Sequence, residues 1–243
     1  MHLVIPFASA LSEAAAQAAG TLALPNLERL VSRWAAEDAD PIAADALPDD
    51  GPEYTLSLPH ERVLAQARGW PVADGLLAFA AEAAREDGLD VEPGSGWGRV
   101  TPAHWHVGRD EIHLLDPAGL ELTQDEAATL HAALAPLFEE LGWRWLRAAS
   151  GRWYASHPSL AALPTASIDR VIGRNVDLWL NDDPGALLVR RLQSEVQMML
   201  YVHPLNDARE ARGAQPVNSF WLAGTGAARP AAEAPPADLV VDE

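Results

Sequence analysis

The chain has 243 residues, 49% of them hydrophobic, contains neither cysteine nor lysine, and carries a formal net charge of −18. The missing cysteines exclude disulfides, thiolate nucleophiles and zinc–sulfur sites, and the missing lysines exclude P-loop, Schiff-base and Ser–Lys mechanisms. The acidic charge repels phosphate groups, so we expect no direct binding to nucleic acid and none to anionic membranes.

The N-terminal residues lack the basic flank of a signal peptide, and no apolar run approaches the ~20 residues that cross a bilayer. We therefore expect a cytoplasmic protein. The high content of Ala, Arg and Pro is typical of a GC-rich bacterial genome.

The first quarter of the chain predicts one strand, two helices and a loop. The strand is His2–Phe7, and the helices are Ser9–Ala19 and Pro25–Glu37, the second with apolar residues at helical spacing. Residues 38–58 are acidic and interrupted by prolines, which predicts an exposed acidic loop.

The middle of the chain alternates helices with hairpins. The expected elements are helices at Pro59–Arg68, Gly75–Asp87 and Thr123–Leu141, a hairpin over 97–117 and a second hairpin that turns at Ser150–Gly151. Thr123 and Glu126 have the spacing of a capping box.

The last third predicts helices at about Ser167–Leu180 and Pro184–Tyr201, a closing strand at Val217–Gly224 and a disordered acidic Ala/Pro tail over 227–243. This order indicates a single α+β domain, residues 1–226, with a single sheet that contains the hairpins and is packed by helices. The first strand and the closing strand are apolar at nearly every position, so we expect both to be central in the sheet and close together.

The run HPLNDAREARGAQPVNSFWLAGTG, from His203 to Gly226, is rich in local signals. Asn206 suits the N-cap of a short helix, and Gly213 suits its left-handed end. Asn218 and Ser219 are adjacent polar residues in an apolar strand, so at least one of them must be hydrogen-bonded inside or line a site.

This run resembles the bacterial family called regulatory protein, RpfE type, which is often labelled phosphoglycerate mutase-like. The resemblance extends to further stretches: HLVIPFA, LPHERVLA, DGLLAFAAEAA, TPAHWHVG, PTASIDRVIGRNVD and RRLQSEVQMMLYVHP. HPLNDARE with PVN and GxG is also similar to a segment of archaeal-type cofactor-independent phosphoglycerate mutases, whose superfamily uses a serine nucleophile and two metals held by Asp and His. We find no such set in this sequence.

Three histidines, His104, His106 and His113, form the one candidate metal cluster. His104 and His106 share a strand face, and His113 lies across the hairpin. Half-buried strand histidines more often hydrogen-bond than ligate, so we expect no metal, and the cofactor stays unassigned. His104 instead suits a general acid/base, with Asp110 or Asp116 to orient it.

Arginines dominate the last candidate site. Arg170, Arg174 and Asp177 are spaced to share a helix face, which is either a salt-bridged surface or a guanidinium pair that faces a pocket. The next helix has a polar stripe, Arg190, Ser194, Gln197 and Tyr201, that leads to His203.

We therefore predict a cleft between Arg170 and Arg174, the helix end from Gln197 to His203, and Asn206, Arg209 and Asn218. It would bind an acidic or phosphorylated small molecule, with His104 or His203 as proton carrier. A regulatory or adaptor protein that binds a protein partner through the acidic loop, the tail and some of the nine tryptophans is the alternative. A phosphoglycerate mutase is the third possibility.

Overall fold

The computed structural model of the protein describes residues 2–4, 17–18, 20–32, 55–180, 184–231 and 239–241. Most of the helix predicted at Ser9–Ala19, the end of the helix predicted from Pro25 and most of the predicted acidic loop 38–58 lie outside these residues. Within the described ranges, no helix is long and apolar enough to cross a membrane.

The architecture is α+β, as the sequence predicts. In chain order the helices are α1 (Pro25–Val31), α2 (Pro59–Ala67), α3 (Phe79–Glu86), α4 (Gln124–Glu140), α5 (Ile168–Val171), α6 (Pro184–Tyr201) and α7 (Pro204–Ala211). The strands are β1 (His2–Val4), β2 (Gly96–Ala103), β3 (Trp105–Val107), β4 (Ile112–Leu114), β5 (Arg144–Arg147), β6 (Trp153–Ser156), β7 (Ser219–Ala227) and β8 (Leu239–Val241). Short 3-10 turns lie at Pro117–Leu120, Pro158–Ala161 and Val176–Leu178.

The main sheet has four antiparallel strands in the order β5-β6-β2-β7. Strand β6 pairs with β2 from Trp97 to Val100, and β7 pairs with β2 along nearly its whole length. The capping box that begins α4 is present, because Thr123 and Glu126 each accept the other's backbone N–H. Hairpin β5–β6 forms where the sequence predicts it, whereas the hairpin predicted over 97–117 is confined to β3–β4, because residues 96–103 pair in the main sheet instead.

One face of the main sheet is covered by the long helices α4 and α6. Val100, Trp153 and Leu222 point into this layer and pack in one cluster with Leu130, Leu192 and other fully buried side chains. Burial of these apolar side chains is the main contribution to the stability of the sheet.

The opposite face of the sheet has two separate covers. Helix α3 packs its alanines on Trp97 and Tyr154 at one end. The β3–β4 hairpin and residues 166–180 pack on Ala103 and Trp221 at the other end. The sheet surface between the two clusters, at Arg99 and Thr101, is left open as a cleft.

The helix predicted over Ser167–Leu180 is wrong. Helix α5 ends at Val171, and Gly173 takes a φ of +75° that a helix cannot contain. Asn175 then caps a 3-10 turn by accepting the backbone N–H of Asp177 at 3.1 Å. The break lets Ile172 and Asn175 form β-bridges to β4, so this segment belongs with the hairpin.

The expected position of the terminal strands is also wrong. Strand β7 lies at an edge of the main sheet, and His2–Val4 pairs in parallel with Leu239–Val241 rather than with β7. Apolar residues alone therefore did not indicate a central strand, because helices α3 and α6 cover this edge strand. Of the predicted tail, residues 227–231 and 239–241 are described, and Ala228 is buried.

Candidate functional site

The run from His203 to Gly226 fastens α7 to its neighbours. His203, not Asn206, is the N-cap of α7, and its Nδ1 accepts the N–H of Leu205 at 3.2 Å. The buried Asn206 side chain donates to the carbonyls of Leu200 and Val217 at 2.8 and 2.7 Å and accepts the N–H of Val217 at 2.9 Å. These bonds use the whole amide group, so Asn206 holds the end of α6 to the start of β7.

Arg209 has no exposed surface and forms a buried ion pair. Its guanidinium donates to Glu126 Oε2 at 2.9 Å, to the carbonyl of Gln215 at 2.8 Å and to the carbonyl of Leu120. Burial opposes the ionisation of Glu126, but hydrogen bonds from Arg212, Thr123 and Arg209 outweigh it and lower the pKa of that carboxyl to about 2. Arg209 thus joins α7 to α4.

Asn218 and His104 attach the β3–β4 hairpin to the segment before β7. The Asn218 amide accepts the N–H of Trp105 at 2.7 Å and donates to its carbonyl at 2.9 Å, as a neighbouring strand would. His104 Nδ1 donates to the carbonyl of Pro216 at 2.8 Å. Of the two polar residues predicted to need partners, Asn218 is therefore satisfied by the protein itself.

The histidines of the hairpin do not converge on one point. The rings of His104 and His106 stack with centroids 6.5 Å apart, and His113 Nε2 lies 3.0 Å from Glu111 Oε2. Across the part of the chain that the structure describes, no three His, Asp or Glu side chains are grouped to hold a metal ion.

Arg170 and Arg174 are divided by the break at Gly173. Arg170 donates to Thr55 Oγ1 at 2.8 Å and to the carbonyl of Ser57 at 3.1 Å. Burial lowers the pKa of Arg170, and the positive charges of Arg62 and Arg174 add to this effect. Arg174 and Asp177 are exposed, and the Arg174 guanidinium lies 5.9 Å from the centroid of the Trp179 ring.

The later part of the polar stripe of α6 faces solvent, whereas Arg190 at its start lines a small cavity beside residues 163–166. Gln197 is partly exposed, and Tyr201 is 85% exposed. The walls of three cavities in the described chain include none of the predicted site residues: His104, His203, Arg170, Arg174, Asp177, Gln197, Asn206, Arg209 and Asn218. Ligand contact at these positions stays a prediction.

A cleft with a volume of about 420 Å³ lies between the two covers of the sheet. Its floor is formed by Arg99 and Thr101 of β2 with Ala223 and Gly224 of β7. One wall is the first turn of α3, where Gly224 lets the backbones approach closely, since a Cβ there would lie 3.0 Å from Ala80 N. The other walls are formed by Glu61 of α2, by Asp116 and Pro117, and by Ser167 to Asp169 with Ile172.

A second cavity of about 370 Å³ adjoins the first and shares Arg99, Thr101 and Pro117 with it. It lies where β6 stops pairing with β2, so the edge of β2 is open beyond Val100. Together the two cavities form one groove, which we call the β2 groove, with Arg99 at its middle.

The charged groups of the β2 groove differ in how far they are already occupied. Glu61 accepts from Leu58 N and Ser167 Oγ, and Asp116 accepts from Ala118 N at 2.9 Å. The side chains of Arg99 and Asp169 are exposed, and neither side chain makes a hydrogen bond or ion pair with any other described residue. Arg99 is therefore the guanidinium of the groove with donors left for a ligand.

Arg152, at the far end of the groove, is held by Asp87 instead. It donates to both carboxylate oxygens of Asp87, at 2.8 and 2.7 Å, and Tyr154 donates to the same carboxylate at 2.7 Å. The hydrogen bond from Arg152 is the main reason that the pKa of Asp87 falls to about 2. This network fixes β6 beside Arg99, since Tyr154 is the register partner of Arg99.

The sequence interpretation missed Arg99, although a signal was present. In WGRVTPA a single charged residue interrupts a strand whose neighbours Gly98 and Val100 are buried. The reasoning applied to Asn218 and Ser219 also applies here, because a charged residue in an inner strand must be paired or face a cavity.

The tryptophans show no exposed patch in the described ranges. Seven of them are buried: Trp97, Trp105, Trp143, Trp145, Trp153, Trp179 and Trp221. They fill the layers on both faces of the sheet, so the surplus of tryptophan in the sequence is explained by packing.

Comparison with known proteins adds a distant structural likeness. No family model and no curated protein matches the chain. Among solved structures, the chain is similar to the cofactor-independent phosphoglycerate mutase from Thermoplasma acidophilum DSM 1728, with 22% identity and a TM-score of 0.47. The match covers 62% of this chain and 41% of that chain, so it spans less than half of the mutase. At this level the phosphoglycerate mutase-like likeness is coarse and assigns no reaction or residue role.

Proposed function

We propose that the protein binds a small molecule with an acidic or phosphorylated group in the β2 groove, and that Arg99 holds this group. The observation that supports the proposal most is the position of Arg99. It lies where two cavities meet and keeps its donors free within the described chain. A guanidinium fork matches the oxygens of a carboxylate or phosphate, so it is well suited to this contact.

The size and the remaining walls of the groove agree with a metabolite-sized ligand. A cleft of about 420 Å³ falls within the range of small-molecule pockets. The first turn of α3, which lines the same cleft, has the positive end of its helix dipole there and favours an anion. Asp169 on the opposite wall accepts hydrogen bonds, so the rest of the ligand would carry hydroxyl or amino groups.

Membership of the RpfE-type family is part of this proposal. It is supported by the stretches quoted above. In one of them, HPLNDARE, the side chains of Asn206 and Arg209 make hydrogen bonds that hold the fold together. The label phosphoglycerate mutase-like makes 3-phosphoglycerate the first ligand to test, with and without divalent metals. Isomerisation of that compound would support a mutase, and its absence across several metals would exclude one.

Replacement of Arg99 by Gln tests the binding proposal. Binding of 3-phosphoglycerate, other phosphorylated metabolites and their dephosphorylated forms is measured by calorimetry with the wild type, Arg99→Gln and Arg109→Gln. Arg109 is an exposed arginine that lines neither cavity, so it is the matched control.

Loss of a hydrogen-bonded charge pair costs about 1.5–3 kcal/mol, which is about 10- to 150-fold in affinity. We expect this loss in Arg99→Gln alone, and only for ligands with the acidic group. Equal affinity of Arg99→Gln and wild type for a phosphorylated ligand would show that Arg99 does not hold it. The absence of binding by any acidic ligand in the panel would also count against the proposal.

A further inference from the structure

A second surface feature lies on α6, far in sequence from the β2 groove. Its solvent face has residues at alternating spacings of four and three, the spacing of a coiled-coil seam. We call these residues the α6 seam: Leu187, Arg191, Ser194, Met198 and Tyr201. Leu187, Met198 and Tyr201 are 65%, 67% and 85% exposed, and Val202 beyond the helix is 70% exposed.

The two ends of the α6 seam are symmetric about Ser194. Leu187 and Tyr201 lie seven positions before and after it, and large apolar side chains occur at both ends. A second copy of α6, placed antiparallel with a two-fold axis at Ser194, would bring each Leu187 next to the partner's Tyr201. The small side chain of Ser194, whose hydroxyl donates to the carbonyl of Arg190 at 3.1 Å, permits close approach at the axis.

The charges of the seam are complementary under the same two-fold operation. Arg191 donates to Glu195 at 2.8 Å within one helix, with Arg before Glu, which is the weaker order for an intrahelical pair. In the antiparallel arrangement Arg191 and the partner's Glu195 are offset by two residues, about 3 Å along the helix, which a long guanidinium side chain can span. The contact is repeated on the other side of the axis. This pair has no net charge, whereas the whole chain has −18, so self-repulsion is small at this surface.

We propose that the α6 seam is the contact surface of a homodimer, with antiparallel α6 helices around a two-fold axis at Ser194. A surface that complements itself in both apolar and charged positions fits a second copy of the chain, and its extent of about 21 Å along the helix gives a small, reversible interface. The proposal is independent of the ligand in the β2 groove.

The test is sedimentation velocity of the full chain from low micromolar to submillimolar concentration. The variants are Leu187→Glu, Arg191→Glu and Glu195→Arg, and the control is Val107→Glu, which alters a side chain that is 73% exposed on the β3–β4 hairpin. Circular dichroism and melting temperature confirm that each variant is folded.

We expect the wild type and Val107→Glu to dimerise and each of the other three variants to remain monomeric. An equimolar mixture of Arg191→Glu and Glu195→Arg should dimerise again, because opposite charges then face each other across the axis. A wild type that stays monomeric at the highest concentration overturns the proposal. A dimer that persists in Leu187→Glu, or a mixture of the two charge variants that does not associate, does so as well.

Discussion

Arg209 offers the sharpest test of how the C-terminal run of the sequence stabilises the fold. Replacement by Met keeps most of the side-chain volume but removes the donors to Glu126, Leu120 and Gln215. Loss of one partner from a buried ion pair costs about 3–5 kcal/mol, and two stranded carbonyls place the value toward the upper end. For a chain of this size we expect a fall in melting temperature of about 10 °C or more.

Urea unfolding followed by tryptophan fluorescence measures this cost directly. The control is Arg212→Met, which removes the other cationic partner of Glu126 from a side chain that is 50% exposed, and we expect it to cost about 1 kcal/mol. If Arg209→Met destabilises the protein no more than Arg212→Met, the assignment of Arg209 to the framework fails. A ligand whose affinity falls in folded Arg209→Met would instead support the role predicted from the sequence.

Three further predictions follow from buried contacts. Burial lowers the pKa of His131 from 6.5 to about 4, so the unfolded chain binds a proton at higher pH than the folded chain, and the free energy of unfolding should fall between about pH 6.5 and 4. Melting curves of the wild type and His131→Gln over this pH range measure the fall, and an equal fall in both proteins would contradict the prediction. Gly226→Ala would place a Cβ 2.9 Å from Ala78 N at a φ of +144° and should lower the free energy of unfolding by about 2 kcal/mol or more. Gly213→Ala, at a φ of +78° with no atom near the new Cβ, should lower it by about 1 kcal/mol, so similar urea midpoints for the two variants would refute the clash. Asn218→Ala should lower the free energy of unfolding in urea by about 2 kcal/mol and speed amide hydrogen exchange in β3 but not in β6. Unchanged exchange in β3 would contradict the pairing of the Asn218 side chain with Trp105.

Local signals in the sequence predicted elements well where the decisive residues are adjacent in the chain. The capping box at Thr123, the turn at Ser150–Gly151 and the left-handed Gly213 all depend on neighbours only a few residues away. Gly173 gave the same kind of signal inside an apolar helical pattern, but its meaning depends on β4, which supplies the bridges that replace the helix.

The site was harder to predict because its residues come together only in the folded sheet. Asn206 and Arg209 have the residue types of a ligand site, yet their partners are carbonyls and a carboxylate that the sequence does not show to be near. Arg99 is the reverse case. Its charge within an apolar strand indicates a partner or a cavity, but not that α3 and residues 167–172 leave the space over it.

The cleft over Arg99 separates two covers that are packed as distinct clusters, one with α3 and one with the β3–β4 hairpin and residues 166–180. A ligand bound in the cleft would contact both covers and stabilise their packing relative to each other. Binding of the ligand should therefore slow hydrogen–deuterium exchange in two stretches that are remote in sequence, α3 and Ser167–Ile172. Both stretches should respond over the same range of ligand concentration.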